Sequence, residues 1–535
     1  MSNNPQSGGV QHKVALLSDD GSGSVLRTDI TSIIHEFHIY EDIFKPTMTA
    51  VVSVYDASGA ILGNKTWTGQ EWIVIGVGNS SYTFRAYKIE SIVPASERAY
   101  SYNIHCVSPE FESALNKSIY NYFPPDPEEE PLIGSEIISA IHSEHISASG
   151  KANRLVTVEE TDRPLAYTAA GHNPIEFIQM VAADCQSAEY PDSSLMVFYQ
   201  DRKGFHFRSV NKMLETGPVA EFYYADPGTE RGPRSRNYIL GITWHDSVDA
   251  VNGLRNGLFD NTVMGIDINT KTFKEYKFNY AKQFKEITHI KNGGKPIIRP
   301  KSWSGNVLGD QLDGSSHVRM IATDFNTDIE NQTIDGRISQ KTDPHIFFSK
   351  NKHNFLGRSV SLMGALRQYK VDVTSNYIDG VVPGSTVNVH IPSNSGNLGI
   401  AERYIATFGQ RNPTFLVTGT IITYDGVDGG LFLTLQCTKE SLSQGLVGTP
   451  AAPPEQPELP VPQNKADAPD PSGQERAENQ TQTLEEAQAS VDGQVKEDED
   501  GNKGVPYSKL TPVEKQYAIQ SKILDADLFP VGTFE

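Results

Sequence analysis

Apolar and polar residues alternate along much of this chain with the two-residue period of β-strands, and one arrangement of such strands is written twice. The first copy runs from GQEWIVIGV (Gly69 to Val77) through TFRAYKIESIV to AYSYNIHCVSPE (Ala99 to Glu110). The second runs from GSTVNVHIP (Gly384 to Pro392) through TFLVTGTIITYD to LFLTLQCTKES (Leu431 to Ser441). Each has a Gly-led turn, a strand, a longer hydrophobic strand and an alternating strand that closes on a cysteine. Tyr100, Tyr102, Ile104 and Cys106 form one apolar face, matched by Leu431, Leu433, Leu435 and Cys437. A one-sided apolar strand set needs a small barrel or sandwich to cover it. The repeat therefore predicts two similar β units.

Helical periods interrupt the β text. Ser108 followed by Pro109 predicts a helix start in SPEFESALNKSIY, since Ser caps and Pro fits the first turn. LIGSEIISAIHSEHI carries the stripe Ile133, Ile137, Ile138, Ile141, with Ser135 as a further cap. Asn173, Pro174 and Glu176 form a capping arrangement for NPIEFIQMVAADCQSA. LMVFYQDRKGFHFRSV (Leu195 to Val210) predicts a hairpin turning at Arg202-Lys203-Gly204 and leading back into barrel strands. Residues 247–342 are polar and Asn/Gly-rich, with the aromatic run TFKEYKFNYAKQFKEI, expected as a strand or helix with a packed aromatic side. LGRSVSLMGALRQY predicts a helix before the second β unit.

The expected architecture is mainly β with α+β insertions. It comprises a flexible arm at 1–11, a first barrel at 12–107, an α/β insertion at 108–200 and a second barrel at 201–246 and 343–445. A second insertion fills 247–342, a Pro-rich acidic linker 446–505, and a docking helix 506–535, beginning at Thr511-Pro512-Val513-Glu514 and running to about Leu524.

At 535 residues the chain can bury roughly three or four cores. Its net charge of −20 disfavours binding to nucleic acid or to an anionic membrane. Between Glu455 and Lys503 acidic residues outnumber basic ones by about three to one. Cys106, Cys185 and Cys437 are far apart and form no CxxC, so they read as small buried apolar residues. The N-terminal residues have no apolar core of the signal-peptide kind, and no run approaches a membrane span.

Candidate chemistry is sparse. His142 and His145 stand one helical turn apart with Glu144 between them, but HxxH lacks a third ligand and the general base of HExxH, so a solvated helix face is expected. KEDEDGN (Lys496 to Asn502) is acidic, yet its Gly comes too early for a calcium loop and the closing Glu is missing. NGGKP (Asn292 to Pro296) is a turn rather than a phosphate loop, and no G-x-S-x-G elbow occurs. With 66 acidic residues, a carboxylate pair for sugar hydrolysis has many candidates and no distinguishing one. No catalytic, cofactor-binding or metal residue is assigned, and no cofactor is expected.

Four segments carry a resemblance. They are HEFHIYEDIFKPTMTAVVSVYDASG (His35 to Gly59), CVSPEFESALN (Cys106 to Asn116), FYQDRKGFHFRSVNKML (Phe198 to Leu214), and VVPGSTVNVHIP with FLVTGTIITYDGVDGGLFLTLQCTKES. Together they resemble the baseplate hub proteins of contractile-tailed bacteriophages, which are related more distantly to the hub part of type VI secretion spikes. The resemblance implies a non-enzymatic virion protein, made in the host cytoplasm and forming a homotrimer. Two barrels per subunit would give a pseudo-hexameric ring, adapting a sixfold tail tube to a threefold central spike. Tube or tube-initiator proteins, the spike and baseplate wedge proteins are the implied partners; DNA would only transit the channel, and no membrane anchor is expected. Two other classes compete: a tail-associated peptidoglycan hydrolase, whose catalytic domain would have to lie in 247–342, and a host-adhesion protein.

Overall fold

The computed structural model describes residues 12–441 apart from 20–23, 58–60, 62–66, 124–131, 147–154, 163–164, 166, 191–194, 225–236, 247–248, 268–270, 291–295, 298, 300, 305–306, 312–316, 323–332, 335–336, 339–351, 391–413 and 428, together with 491, 496–497, 503–505 and 524–525. The chain divides into two compact units, Met1–Thr449 and Pro450–Glu535.

In the first unit the alternating segments become β1 (His12–Asp19), β2 (Val25–Asp29), β3 (Ile34–Asp42), β4 (Thr49–Asp56), β5 (Trp72–Val77), β6 (Ser80–Pro94) and β7 (Tyr100–Val107). They pair antiparallel in the order β2-β1-β5-β6-β7-β4-β3. An insertion follows: α1 (Pro109–Leu115), β8 (Ile119–Phe123), α2 (Gly134–Ile141), β9 (Leu155–Val158), β10 (Tyr167–His172), α3 (Pro174–Ala183), β11 (Met196–Asp201), β12 (Gly204–Ser209) and α4 (Val210–Glu215). Its core holds Ile137, Ile138, Ile141, Phe177, Ile178 and Phe205.

β13 (Pro218–Tyr224) and β14 (Asn237–Asp246) open the second barrel. A second insertion then contributes α5 (Ala250–Arg255), β15 (Asp260–Asp267), β16 (Thr272–Asn279), α6 (Tyr280–Gln283), β17 (Lys301–Ser304), β18 (Val307–Gln311), β19 (His317–Ala322), β20 (Thr333–Ile334), β21 (Arg337–Ile338) and α7 (Lys352–Leu366). The barrel resumes with β22 (Tyr369–Asn376), β23 (Thr386–His390), β24 (Thr414–Asp425) and β25 (Gly430–Lys439). Pairing runs β24-β23-β13-β14-β22-β25 and returns from β25 to β24, closing a six-stranded barrel.

The repeat in the sequence is a repeat in the fold. In chain order β3, β4, β5, β6 and β7 correspond to β14, β22, β23, β24 and β25, with the same neighbours. Over most of their length the registers agree residue by residue. Cys106 lies opposite Ala50 and Ala86, and Cys437 lies opposite Val371 and Val417. Phe84 faces Ile73 as Phe415 faces Val387. Even the irregularities coincide: the ladder slips between Ala86 and Lys88 as between Val417 and Gly419, and between Ile34 and Glu36 as between Ile239 and Gly241. Bulges are specific structural features, so two matched pairs are strong evidence of duplication. The inward faces of both barrels merge into one buried cluster.

The barrels differ at their first strand. β1 is antiparallel to β5, whereas β13 runs parallel to both β23 and β14. Among the described residues no ladder joins β1 to β3, so the first barrel is not closed by hydrogen bonds. Side chains fill that seam: the His12 ring lies 3.7 Å from that of Tyr424, which stacks on Phe37 at 5.5 Å.

Three expectations need correction. The hairpin β11–β12 pairs with β9 in a separate three-stranded sheet of the insertion. The second barrel therefore starts at Pro218, not at residue 201. Ser135 does not cap α2: Ile133 occupies the cap position, and the Glu136 carboxylate accepts its backbone N–H at 3.0 Å. His142 is not on a solvated face; it is 3% exposed with its ring edge-on to Phe205 at 5.1 Å, where the helix widens into a π-turn.

Ser108 holds the N-cap position of α1 with Pro109 in the first turn, but its side chain makes no cap bond, whereas Asn173 caps α3 as expected. The Asn173 side chain accepts from Ile175 N–H at 2.9 Å and donates to the Ala114 carbonyl at 2.7 Å, tying α3 to α1. In the second insertion Phe278, Tyr280 and Phe284 of the aromatic run pack inward against Ala365 and Tyr369. The second unit contains β26 (Lys496–Glu497), β27 (Lys503–Val505) and β28 (Leu524–Asp525), which form a three-stranded sheet in that order. Thus the end of the segment read as linker is paired, and Leu524 is in a strand. The arm at 1–11, the turn residues 292–295, the acidic residues 498–502 and the helix expected over 512–523 lie outside the described residues.

Candidate inter-barrel junction

The two barrels meet through one strand that serves both. β24 pairs with β23 over Thr414–Leu416, then leaves it and takes β3 of the first barrel as its neighbour. That ladder runs antiparallel through seven pairs, from Gly419 opposite Asp42 to Asp425 opposite Glu36. Backbone bonds extend it at both ends: Ile43 N–H donates to Thr418 O at 2.9 Å, and Gly426 N–H to His35 O at 2.7 Å. Glycine is required at its lower end, since a Cβ on Gly426 would lie 2.5 Å from the His35 carbonyl oxygen. At Gly419 it would meet the Gln436 side chain at 2.5 Å and the Glu41 carbonyl at 3.1 Å.

Phe37, Ile39 and Glu41 share the inward face of β3, Ile43 follows just past its end, and all four are buried. An inward carboxylate needs a cation and further donors. Both come from the insertion and the second barrel. The β11–β12 turn, closed by Asp201 opposite Gly204, delivers Arg202. Its side chain is 3% exposed and grips Glu41 with Nη2 to Oε2 at 3.1 Å and Nε to Oε1 at 3.3 Å. The Arg202 backbone N–H also donates to Oε1 at 2.9 Å, and the Thr420 hydroxyl to Oε2 at 2.5 Å. The guanidinium continues to the Tyr377 hydroxyl at 3.2 Å and the Val381 carbonyl at 3.1 Å. One arginine thus touches strand β3, the β22–β23 connection and, through Glu41, strand β24.

Asp201 fixes that turn by accepting from Lys203 N–H at 2.6 Å and Gly204 N–H at 3.2 Å, with His206 Nε2 at 3.0 Å from the same oxygen. Gly204 has φ +135°, which favours glycine. Burial alone would lower the Arg202 pKa, but Glu41, Tyr82 and Tyr377 together raise it above its ordinary value, so it stays charged. Burial pushes Tyr377 up to about 12 and raises Tyr82 further, with Glu41 adding to the latter.

A second anchor lies one residue before the turn. Gln200 accepts from Met48 N–H at 3.2 Å and donates to Glu110 Oε2 at 3.2 Å, and the Ser108 hydroxyl donates to the same carboxylate oxygen. Beneath both, Ile43, Tyr199, Met213, Leu362 and Leu416 form an apolar cluster drawn from β3's exit, the hairpin, α4, α7 and β24. Gly384 permits this approach: at φ +79°, its Cβ would come within 2.7 Å of the Tyr199 hydroxyl. A cleft of about 590 Å³ opens at the Asp42 end, lined among others by Phe44, Arg367, Lys370 and Gln436.

Lys439 is buried behind the second barrel, its Nζ 4.0 Å from the centre of the Phe415 ring. Desolvation brings its pKa down to about 7, against opposing pulls from Glu440 and Cys437. Cys106, Cys185 and Cys437 are free thiols, all buried, and burial raises each.

Sequence reading located the Arg202 turn but not its role, and it missed Glu41. His142 and His145 do not converge on a site: the first is in the aromatic core, and the second lies 3.8 Å from Glu144. No group of three metal-ligating side chains occurs among the described residues, and no helix there is long and apolar enough to cross a membrane.

Similar folds occur among solved structures. A tail protein from Neisseria meningitidis is 10% identical, with 80% of this chain and 96% of that one covered at a TM-score of 0.43. The 43 kDa tail protein of prophage MuSo2 from Shewanella oneidensis is 9% identical over 80% and 99%, with a TM-score of 0.44. An Escherichia coli component of the type VI secretion system, described as structurally similar to T4 bacteriophage tail proteins, is 9% identical over 77% and 75%, with a TM-score of 0.38. At 9–10% identity no residue role passes from them to this chain. No family profile and no curated protein matches it.

Proposed function

We propose that this chain is a structural baseplate hub of a contractile phage tail, a homotrimer whose six barrels form a pseudo-sixfold ring. The observation that carries the reading is the internal duplication: two barrels with five strands in the same order and two bulges at matching positions, joined edge to edge within one chain. Three such chains present six near-equivalent units to a sixfold tube while remaining threefold toward a spike. Closed rings also leave no barrel edge open for unwanted strand pairing. The sequence resemblance implies the same role. Tube, spike and wedge proteins are the proposed partners, with DNA passing through the channel and the protein residing in the virion.

Mass photometry combined with image averaging tests this. A trimer of the 58.9 kDa chain with six similar densities around a central opening is the expected result. A protein that stays monomeric, or assembles with twofold symmetry, overturns the reading. Purified protein is also expected to leave peptidoglycan intact in a zymogram, and clearing that depends on a carboxylate in 247–342 would favour the hydrolase class.

A further inference from the structure

The junction inside the chain specifies a second junction between chains. By the register equivalence, the part of β24 that pairs with β3 corresponds to the part of β6 beyond Ala86, and β3 corresponds to β14. Among the described residues both counterparts are unpartnered on the matching side. β5 ends its pairing with β6 at Arg85, so of the described strands Tyr87–Pro94 has only β7 beside it. β13 pairs with β14 over Asn237–Ile239, so of the described strands the rest of β14 has only β22. Where β24 and β3 are largely covered, these stretches are open: Tyr87, Ile92 and Val93 are 57%, 52% and 56% exposed, and Leu240 is 43% exposed.

We propose that β6 of one protomer pairs antiparallel with β14 of the next, reproducing the β24–β3 ladder around the ring. A second copy of this chain is the occupant because the chain already contains the same contact once, between the equivalent strands. Two irregularities support this register. β6 carries one extra residue between Glu90 and Val93 that β24 lacks, and β14 carries an extra residue, His245, that β3 lacks. Either alone would throw the copied ladder out of step. Mapped through the duplication they fall opposite each other and cancel, giving a continuous register of Glu90 to Asp246, Ser91 to His245, Ile92 to Trp244, Val93 to Thr243 and Pro94 to Ile242. Glu90 is already held by Lys88 at 2.6 Å and His105 at 3.0 Å. The contact is head-to-tail, so it generates a ring rather than a two-fold dimer.

The pairing presupposes the ring proposed above, and one experiment separates them. Full-length Val93→Cys and Thr243→Cys proteins are prepared separately, mixed, and treated with a short bismaleimide that tolerates small offsets. A covalent dimer is expected only in the mixture, while the double variant gives covalent trimer. Leu240→Cys, three residues out of register, should link to Val93→Cys at least tenfold less. If the wild type is trimeric by mass yet the mixture gives no dimer, or Leu240→Cys links equally well, the edge assignment is overturned and the ring stands. Linking of Val93→Cys to itself overturns it in favour of a two-fold contact. A monomeric wild type overturns both. An Ile92→Asp/Val93→Asp variant, checked for native far-ultraviolet dichroism, should show a threefold fall in mass; retention of the trimer counts against the pairing.

Discussion

Tyr87–Pro94 of β6 and Thr418–Asp425 of β24 hold corresponding places in two equivalent barrels, yet one is exposed and the other is covered by β3. Strand formation does not separate them, because both segments lie wholly within strands, each with one tyrosine and several β-branched residues. The difference lies in what lets a partner backbone approach. β24 has Gly419 inside the ladder and Gly426 just past its end, where side chains would collide with the Glu41 and His35 carbonyls. β6 has Lys88 in the place of Gly419 and an extra residue farther on. A duplicated strand can thus keep its position in its own barrel while its outer edge specialises.

The largest way to break this contrast is Arg202→Ala. It leaves the Glu41 carboxylate buried without its cation, which costs about 3–5 kcal/mol. Urea unfolding followed by tryptophan fluorescence should show the loss, and Arg202→Ala with Glu41→Ala should recover part of it. A loss below about 1 kcal/mol would place the pair among weak surface bridges. Gly426→Ala should cost about 1–3 kcal/mol by forcing β3 and β24 apart. Lys88→Ala, on the exposed counterpart edge, should stay within about 0.5 kcal/mol for the isolated protomer. Equal effects at the two edges would remove the distinction drawn here.

Much of this was legible in the sequence, though unevenly. Both three-strand units, their closing cysteines and the turn at Arg202 could be read because alternation and turn chemistry are local. The direction of β13 could not, since whether a strand runs parallel or antiparallel to its neighbours depends on long connections rather than on its own residues. The Arg202–Glu41 pair spans 161 positions. A signal for half of it was present: Glu41 follows Phe37 and Ile39 at the same parity, which marks an inward carboxylate in need of a partner. Nothing local marks Arg202, because charged residues in turns are ordinarily solvated.

A pH test distinguishes the closing strands. Lys439 takes the position after Cys437 and Thr438 that Ser108 takes after Cys106 and Val107. Its folded pKa of about 7 lies below the ordinary 10.5, so between these values the unfolded chain binds the extra proton. Stability should therefore rise with pH from about 7 to about 10.5, with the full penalty present below 7. Lys439→Met should flatten that rise in thermal denaturation, whereas Ser108→Ala should leave it. Away from both edges, Asn173→Ala should cost about 1 kcal/mol through loss of its cap and leave the barrel edges, and the oligomer mass, unchanged.

The strand shared by both barrels also sets how the molecule bears load. Hydrogen bonds in an antiparallel ladder lie across the strands. A pull along β24 therefore strains the seven β24–β3 pairs together in shear, whereas a sideways pull would open them one after another from an end. Because β24 continues without a break from β23's flank to β3's, tension entering the second barrel reaches the first along a covalent backbone rather than through side-chain contacts alone. The boundary between the barrels is consequently stiff in one direction and yielding in the other.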